Sequence, residues 1–334
     1  MTSDSGHWSQ VTGHSYMHQQ IVYFLKKAQG HISGEELSHK FKISRAGIWK
    51  YIEELRRFGY DIVAIPHLGY RLLSVPDKLL SWEIDFELGT KIIGREIVCR
   101  GVVSSTMDEA LQLAIQGVKE GMVVCAEGQT KGRGRLGRNW VSPKGKGIYL
   151  SIILRPAVSP QEVSRLTLLS AVAVCEAIMK ITGIAVQIKW PNDLLVNNRK
   201  LGGILTELNA EMDRVKFVIV GIGINVNTSS HQLPPLATSL KQEAKRNFSR
   251  IEMIQEILRS FEKWYVAFPS EKFLNILERW KELSVTLGKR IRIVDAQGMI
   301  EGEAFDLDRD GGLLIRSDAG TIVKKLSGDV LEVR

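Results

Sequence analysis

The stretch Gly128–Trp140, GQTKGRGRLGRNW, places Lys131, Arg133, Arg135 and Arg138 within eight residues and interleaves them with Gly132, Gly134 and Gly137. Glycine lets a backbone approach a ligand closely. Arginine offers a rigid fork of donors that matches phosphate or carboxylate. The stretch therefore predicts an anion-binding loop, with phosphate as its natural anion. Four like charges this close repel one another, so the loop is expected to be mobile when empty and ordered by its ligand. The same glycines satisfy the GxGxxG spacing of a dinucleotide-binding fold, which requires a strand before them and a helix directly after. A strand is expected before them at Met122–Ala126. On their other side stand Asn139-Trp140-Val141-Ser142-Pro143-Lys144-Gly145 and then a second strand, Ile148–Leu154. A doubly wound dinucleotide fold fails on this context. A kinase-type glycine loop also lies in a hairpin, but the chain contains no HRD or DFG triplet.

Outward from the loop, strands come in adjacent runs more often than they alternate with helices. Ala185–Lys189, Asp193–Val196, Gly203–Asn209 and Val215–Gly221 read as strands. Asp108–Val118 and Leu166–Ile181 read as helices, the second buried, and Ile251–Trp264 and Phe273–Leu283 as amphipathic helices. This order predicts an α+β domain over about 80–283 with a largely antiparallel or mixed sheet. Pro234-Pro235 and the polar residues after it mark a loop.

Three further stretches of this block carry chemistry. Lys189-Trp190-Pro191-Asn192-Asp193 joins two strands through a stiff Pro, and presents Lys for phosphate, Asn for paired hydrogen bonds and Asp for Mg²⁺ or its water shell. Arg199–Glu207, RKLGGILTE, runs from cations into a buried strand through two glycines, where a ligand or another backbone must pass close. Gly221–Asn227, GIGINVN, leaves room for a flat ligand whose edge Asn225 can read. Each alone is compatible with packing or an ordinary turn, whereas the set is not. No GxSxG, HExxH or spaced Cys/His pair is present. A site of Gly, Arg, Lys and Asn points to electrostatic and positional catalysis of phosphoryl or nucleotidyl chemistry.

The N-terminal block has a different texture. Gln19–Lys27 carries an apolar stripe at helical spacing, Ser33-Gly34-Glu35-Glu36 is a capping box opening a second helix toward Phe41, and Ser44 caps a third. Ile48, Ile52 and Leu55 share one face of that third helix and Gly59 ends it. Asp61–Leu73 then reads as two strands joined by Pro66-His67-Leu68-Gly69. The order is that of a winged helix-turn-helix, placed at 19–75. Gln19–Ser74 holds nine Lys/Arg against five Asp/Glu. Ser44, Arg45, Gly47 and Lys50 are the candidate DNA-binding residues, at the end of the third helix that would enter the major groove. The bland alternative is a three-helix adaptor for protein contacts.

Residues 285–334 are strand and turn throughout. Arg290–Val294, Met299–Asp306, Gly312–Ser317 and Thr321–Lys325 alternate with the turns Asp295–Gly298, Asp308–Gly311 and Asp318–Gly320, which suits a small SH3-like barrel.

Across its 334 residues the chain is 44% hydrophobic and 25% charged, which excludes disorder along the whole length. Its net charge of +8 makes polyanions plausible partners without demonstrating any. Cys99, Cys125 and Cys175 have no metal or redox spacing, so a disulfide scaffold is excluded and a reduced cytoplasm is expected. The longest apolar run, Leu166–Met179, has 14 residues and contains Glu176, against about 20 needed for a span. Residues 1–18 are polar, lack a signal-peptide core and are expected to be a flexible tail.

Taken in order, Gly132–Trp140, Lys189–Leu194 (KWPNDL), Lys200–Glu207 (KLGGILTE) and Gly221–Asn225 (GIGIN) resemble the biotin–protein ligases. Ser44–Gly59 (SRAGIWKYIEELRRFG) is similar to the helix-turn-helix of the bifunctional bacterial members, which also repress biotin-synthesis genes. The resemblance covers about 19–334. It implies a class II synthetase-like catalytic domain that makes biotinyl-5′-adenylate from biotin and MgATP. The domain then transfers biotin to a lysine of a biotin carboxyl carrier protein. It also implies ATP, Mg²⁺ and biotin as substrates without a tightly bound prosthetic group, a homodimer when adenylate is bound, operator DNA as a partner, and no membrane association.

By that resemblance Ser105, Thr106, Met107, Gln129, Gly132, Arg133, Gly134, Arg135, Lys200 and Gly221 bind biotin, the first two and Gln129 at its head. Arg138, Trp140, Asn192 and Asn225 serve ATP, Trp140 packing on adenine. Arg133, Arg135, Lys189 and Lys200 are the catalytic candidates, and Asp193 the candidate for Mg²⁺. Met107 stands where the family commonly has Asn, so a side-chain contact to biotin is lost there. A lipoate-type ligase, a nucleotide-sensing regulator without ligase activity, and a ligase whose DNA-binding block is vestigial are the competing readings.

Overall fold

The computed structural model describes residues 13–211, 214–268, 273–295 and 298–332. The chain divides into two compact units, Met1–Asp77 and Lys78–Arg334.

The first unit is α1 (Gly13–Lys27), α2 (Gly34–Phe41), α3 (Arg45–Phe58), β1 (Asp61–Ile65) and β2 (Gly69–Ser74), the two strands pairing antiparallel. The two serine N-caps form where the sequence places them. Ser33 accepts from the Glu36 amide and Ser44 from the Gly47 amide, while Gly59 closes α3 at φ 104°. Ile48, Ile52 and Leu55 are buried beside Ile21, Val22 and Leu37. One boundary shifts. Residues 13–18, read as tail, belong to α1, because His18 is buried, pairs with Glu54 at 2.8 Å and packs edge-on against Tyr51 and Phe58. Those aromatic partners lie more than 30 residues away, where no helical period in α1 reports them. The rest of the expected tail, residues 1–12, lies outside the described residues.

The second unit opens with α4 (Ser81–Asp85), β3 (Ile97–Val103), α5 (Thr106–Ile115), β4 (Val123–Gln129), β5 (Ile148–Leu154) and α6 (Ser164–Thr182). It continues with β6 (Gln187–Lys189), β7 (Asp193–Val196), β8 (Arg199–Glu211), β9 (Arg214–Ile224), α7 (Leu240–Ala244), α8 (Arg250–Ala267) and α9 (Phe273–Leu283). The strands form one sheet in the order β3-β4-β5-β9-β8-β7-β6. β3 and β4 are parallel and the remaining neighbours antiparallel, so the sheet is mixed. One face carries Val220, Ile222 and Ile204 into a core with Leu169, Val172, Ile257, Phe261 and Trp280 from α6, α8 and α9. Among the described residues of this unit, α5 packs on the opposite face through Met107, Ala110, Leu113 and Ala114 against Ile153, Phe217 and Ile219. A helix of 10 residues spans about 15 Å and cannot cover this face. The uncovered part is where the site forms.

The chain ends with β10 (Lys289–Asp295), β11 (Gly298–Leu307), β12 (Leu313–Arg316), β13 (Ile322–Lys325) and β14 (Asp329–Glu332), an antiparallel sheet in the order β13-β12-β11-β10-β14. Residues 296 and 297 of the first expected turn lie outside the described residues. At the second, Asp308 accepts from the amides of Asp310 and Gly312. Among the described residues no helix is long and apolar enough to cross a membrane.

Candidate active site and helix-turn-helix face

Alternation along β8 and β9 sets the floor of the site. Gly203 pairs with Gly223 and Leu205 with Gly221, so the three glycines share the face that α5 leaves open. A Cβ on Gly223 would stand 2.7 Å from the Trp140 ring, and one on Gly221 would stand 2.6 Å from Met107 Sδ. Two bulky side chains thus lie directly on a glycine floor. They border a cavity of about 410 Å³.

The polar end of the cavity is the start of α5. Ser105 caps this helix by accepting from the Met107 amide, and the helix begins at Thr106, two residues earlier than its apolar period suggests. The Thr106 amide donates to Gln129 Oε1 at 2.8 Å, joining the exits of the parallel strands β3 and β4. The serine followed three residues later by Asp108 was the legible signal for this cap.

The cationic lining comes from the arginine loop together with Lys189 and Lys200. Arg133 meets Glu207 at 2.8 Å and Asp108 at 3.2 Å, Arg138 pairs with Asp329, and Arg135 donates to Asn192 Oδ1 at 3.0 Å. The repulsion expected within the arginine loop is therefore offset by carboxylates from α5, β8 and β14. None of these is near the loop in sequence. Burial lowers the pKa of Arg135 from its ordinary value, with Asp329 and Asp193 opposing that effect. Lys200 Nζ is 2.7 Å from Asp193 and 5.7 Å from the Trp140 ring centre.

The Lys189–Asp193 turn is anchored by Trp190. This side chain is buried, its amide donates to Thr286 and its indole to the Gly311 carbonyl. With that anchor fixed, Lys189, Asn192 and Asp193 all line the cavity. Asn192 also donates to the Ile204 carbonyl, tying the turn to the floor.

The cavity thus brings together Ser105, Thr106, Met107, Gln129, Arg133, Gly134, Arg135, Arg138, Trp140, Lys189, Asn192, Asp193, Lys200, Gly221 and Asn225. Gly132 lies behind its wall, where a Cβ would stand 2.4 Å from the Trp140 carbonyl. Asn225 directs its amide at the Thr238 carbonyl and so holds the loop after β9. Met107 is buried among the α5 apolar residues with its sulfur on Gly221. Asp193 and Asp329 are the carboxylates among the lining residues, each already facing a cation. Among the described residues no three metal-ligating side chains cluster.

In the first unit, Arg45, Trp49 and Lys50 are exposed on α3. Ser44 and Gly47 serve the start of that helix. The Ser44 hydroxyl is taken by the cap, and a Cβ on Gly47 would stand 2.4 Å from Ile43 Cγ2.

Comparison with known proteins agrees with this geometry. The model of the biotin/lipoate A/B protein ligase family matches residues 100–225, an HTH domain model residues 18–71, and a biotin protein ligase C-terminal domain model residues 286–331. The bifunctional ligase/repressor BirA of Bacillus subtilis is 42% identical over 314 residues, 93% of this chain and 96% of that protein. The chain belongs to the biotin–protein ligase family. The Escherichia coli bifunctional ligase/repressor BirA is 30% identical over 317 residues, covering 94% and 96% of the two chains. The biotin protein ligase of Aquifex aeolicus, solved with biotin and ATP, matches with a TM-score of 0.62 and 31% identity over 72% of this chain and 99% of that one. An N-terminal HTH domain, a catalytic domain built on a mixed sheet, and a biotin protein ligase C-terminal domain are thus the parts of this family member.

Proposed function

We propose that this ligase activates biotin with ATP and passes it to a lysine of a biotin carboxyl carrier protein. The observation that carries the reading is one cavity lined both by the hydrogen-bonding groups Ser105, Thr106 and Gln129 and by the cations Arg133, Arg135, Lys189 and Lys200. Biotin matches this polarity, with a ureido head, an apolar body and a carboxylate tail. The head meets Ser105, Thr106 and Gln129, and the body lies along Met107 and Gly221. The carboxylate reaches the arginine loop, where it attacks the α-phosphate of ATP and pyrophosphate leaves. Arg133, Arg135 and Lys200 stabilise the charge that develops on phosphorus and carboxylate oxygens. Adenine packs on the Trp140 ring, and Arg138 and Asn192 face the nucleotide. The carrier lysine then attacks the acyl carbon of the mixed anhydride, and AMP departs.

Mg²⁺ enters as the ATP complex. The donor set fits a cation held mainly by phosphate oxygens, with Asp193 as the single carboxylate contributed by the Lys189–Asp193 turn. Incubation with labelled biotin, ATP and an apo carrier domain tests the reading. Label is expected on the acceptor lysine in the presence of ATP, and a carrier that stays unlabelled contradicts it.

The HTH unit makes the same protein a repressor that binds operator DNA, as a homodimer when adenylate is held. Arg45, the first residue of α3, and Lys50, about a turn and a half further on, are the side chains that would reach base edges and phosphates. Replacing both by alanine is expected to weaken operator binding at least about 10-fold and to flatten its salt dependence, since two cations no longer displace counterions. Ligation by the same variant stays at the wild-type rate. Unchanged operator binding in a gel-shift titration across salt concentrations would remove both residues from the interface.

A further inference from the structure

Buried hydroxyls and one amide form an unbroken chain from the sheet to the arginine loop. Ser151 on β5 donates to Thr106 Oγ1 at 2.9 Å, and Thr106 Oγ1 donates to Gln129 Oε1 at 3.2 Å. Gln129 Nε2 donates to Ser142 Oγ at 2.9 Å, and Ser142 Oγ donates to the Trp140 carbonyl at 3.1 Å. Every donor points the same way, so each bond polarises the next. Ser151, Thr106 and Ser142 are all buried. The chain ends at the residue whose ring lies on Gly223 and whose amide donates to the Gly132 carbonyl at 2.8 Å. Gly132 fits against the chain only because it lacks a side chain, since its Cβ would stand 2.8 Å from Ser142 Oγ and 2.9 Å from Gln129 Nε2.

We propose that Ser142 is a positioning residue that transmits occupancy of the Thr106–Gln129 end to Trp140, so that biotin and ATP bind with positive coupling. The inference rests on the ligase reading above. A ureido group on Thr106 or Gln129 fixes the Gln129 amide. Through Ser142 the fixed amide holds the Trp140 backbone and with it both ends of the loop. The nucleotide then meets a platform already ordered and loses less conformational freedom on binding. Coupling is reciprocal, so ATP tightens biotin by the same factor. Ser142 touches neither ligand in this account.

The test is calorimetric titration of biotin into the full chain, alone and with saturating α,β-methylene-ATP, which cannot form the adenylate. In the wild type the analogue is expected to tighten biotin by at least about 5-fold, the lower end of typical coupling. In Ser142→Ala and Ser142→Cys this ratio falls to within 2-fold of one, while biotin affinity without the analogue stays close to wild type. Ser142→Thr, which keeps the hydroxyl, restores the ratio. A merely structural role lowers affinity or melting temperature and leaves the ratio intact. An Ala variant with the wild-type ratio, or a wild type with no coupling, overturns the relay. A wild type that binds no biotin strikes the ligase reading itself and the relay with it.

Discussion

Arg135→Ala is expected to lower biotin-dependent adenylate formation by on the order of 100- to 1,000-fold, the usual cost of removing one preorganised donor from a developing anion. Arg135 is held for this task by Asn192 at 3.0 Å, and Asn192 is itself fixed to the Ile204 carbonyl. Asp329 and Asp193 lie close enough to support its charge against burial. The Asn192 contact aims the guanidinium at the anion, which limits the reorganisation needed as charge builds. Arg135→Lys keeps the charge but not the fork, so it recovers only part of the loss. Residual adenylate made by the alanine variant is expected to escape into solution rather than stay bound. Single-turnover formation of labelled adenylate, followed by filtration, measures both effects. Wild-type formation and retention in Arg135→Ala would place the anion elsewhere.

Arg250→Ala is expected to destabilise the second unit by about 3–5 kcal/mol, the typical cost of leaving one charge of a buried pair without its partner. Arg250 opens α8, is 1% exposed and meets Glu127 Oε2 at 2.7 Å. Glu127 also accepts from the Leu79 amide, and its own carbonyl accepts from Gly145 after the arginine loop. The pair therefore ties β4, just before Gln129, to the helical layer behind the sheet. At about 2–4 °C per kcal/mol for a unit of this size, the melting temperature falls by roughly 6–20 °C. The double variant Glu127→Gln/Arg250→Met removes both charges and is expected to recover much of the loss. A melting temperature within 2 °C of wild type for Arg250→Ala alone would show that the carboxylate finds water or another cation.

Local chemistry was legible in the sequence to the extent that neighbours in the chain decide it. The Ser33 and Ser44 caps, the Gly59 stop, β5 and α9 come from propensity and period. So does the rejection of the dinucleotide fold, because the residues after Gly137 cannot open a helix there. The candidate side chains converge because each motif sits at a strand exit or a turn, and Gly132 alone of the central set lies behind the wall.

The features hidden in the sequence depend on residues far apart in it. The carboxylates that balance the arginine loop come from positions 108, 207 and 329. Ser142 and Ser151 look like ordinary strand and loop serines until the register of β4 and β5 puts them on either side of Gln129 and Thr106. β3 is masked because Arg100, Gly101 and exposed Val102 blur its alternation at the sheet edge, and β14 because it is short and comes after a glycine. The longer α1 rests on His18 meeting Glu54, Tyr51 and Phe58, which no local pattern announces.

Biotin-dependent ATP–pyrophosphate exchange by the purified full chain with Mg²⁺, run beside lipoate, tests the central claim most directly. The account predicts rapid exchange with biotin, none with lipoate, and loss of the biotin signal in Arg135→Ala. Exchange with lipoate alone, or none with either acid from a folded sample, would contradict it.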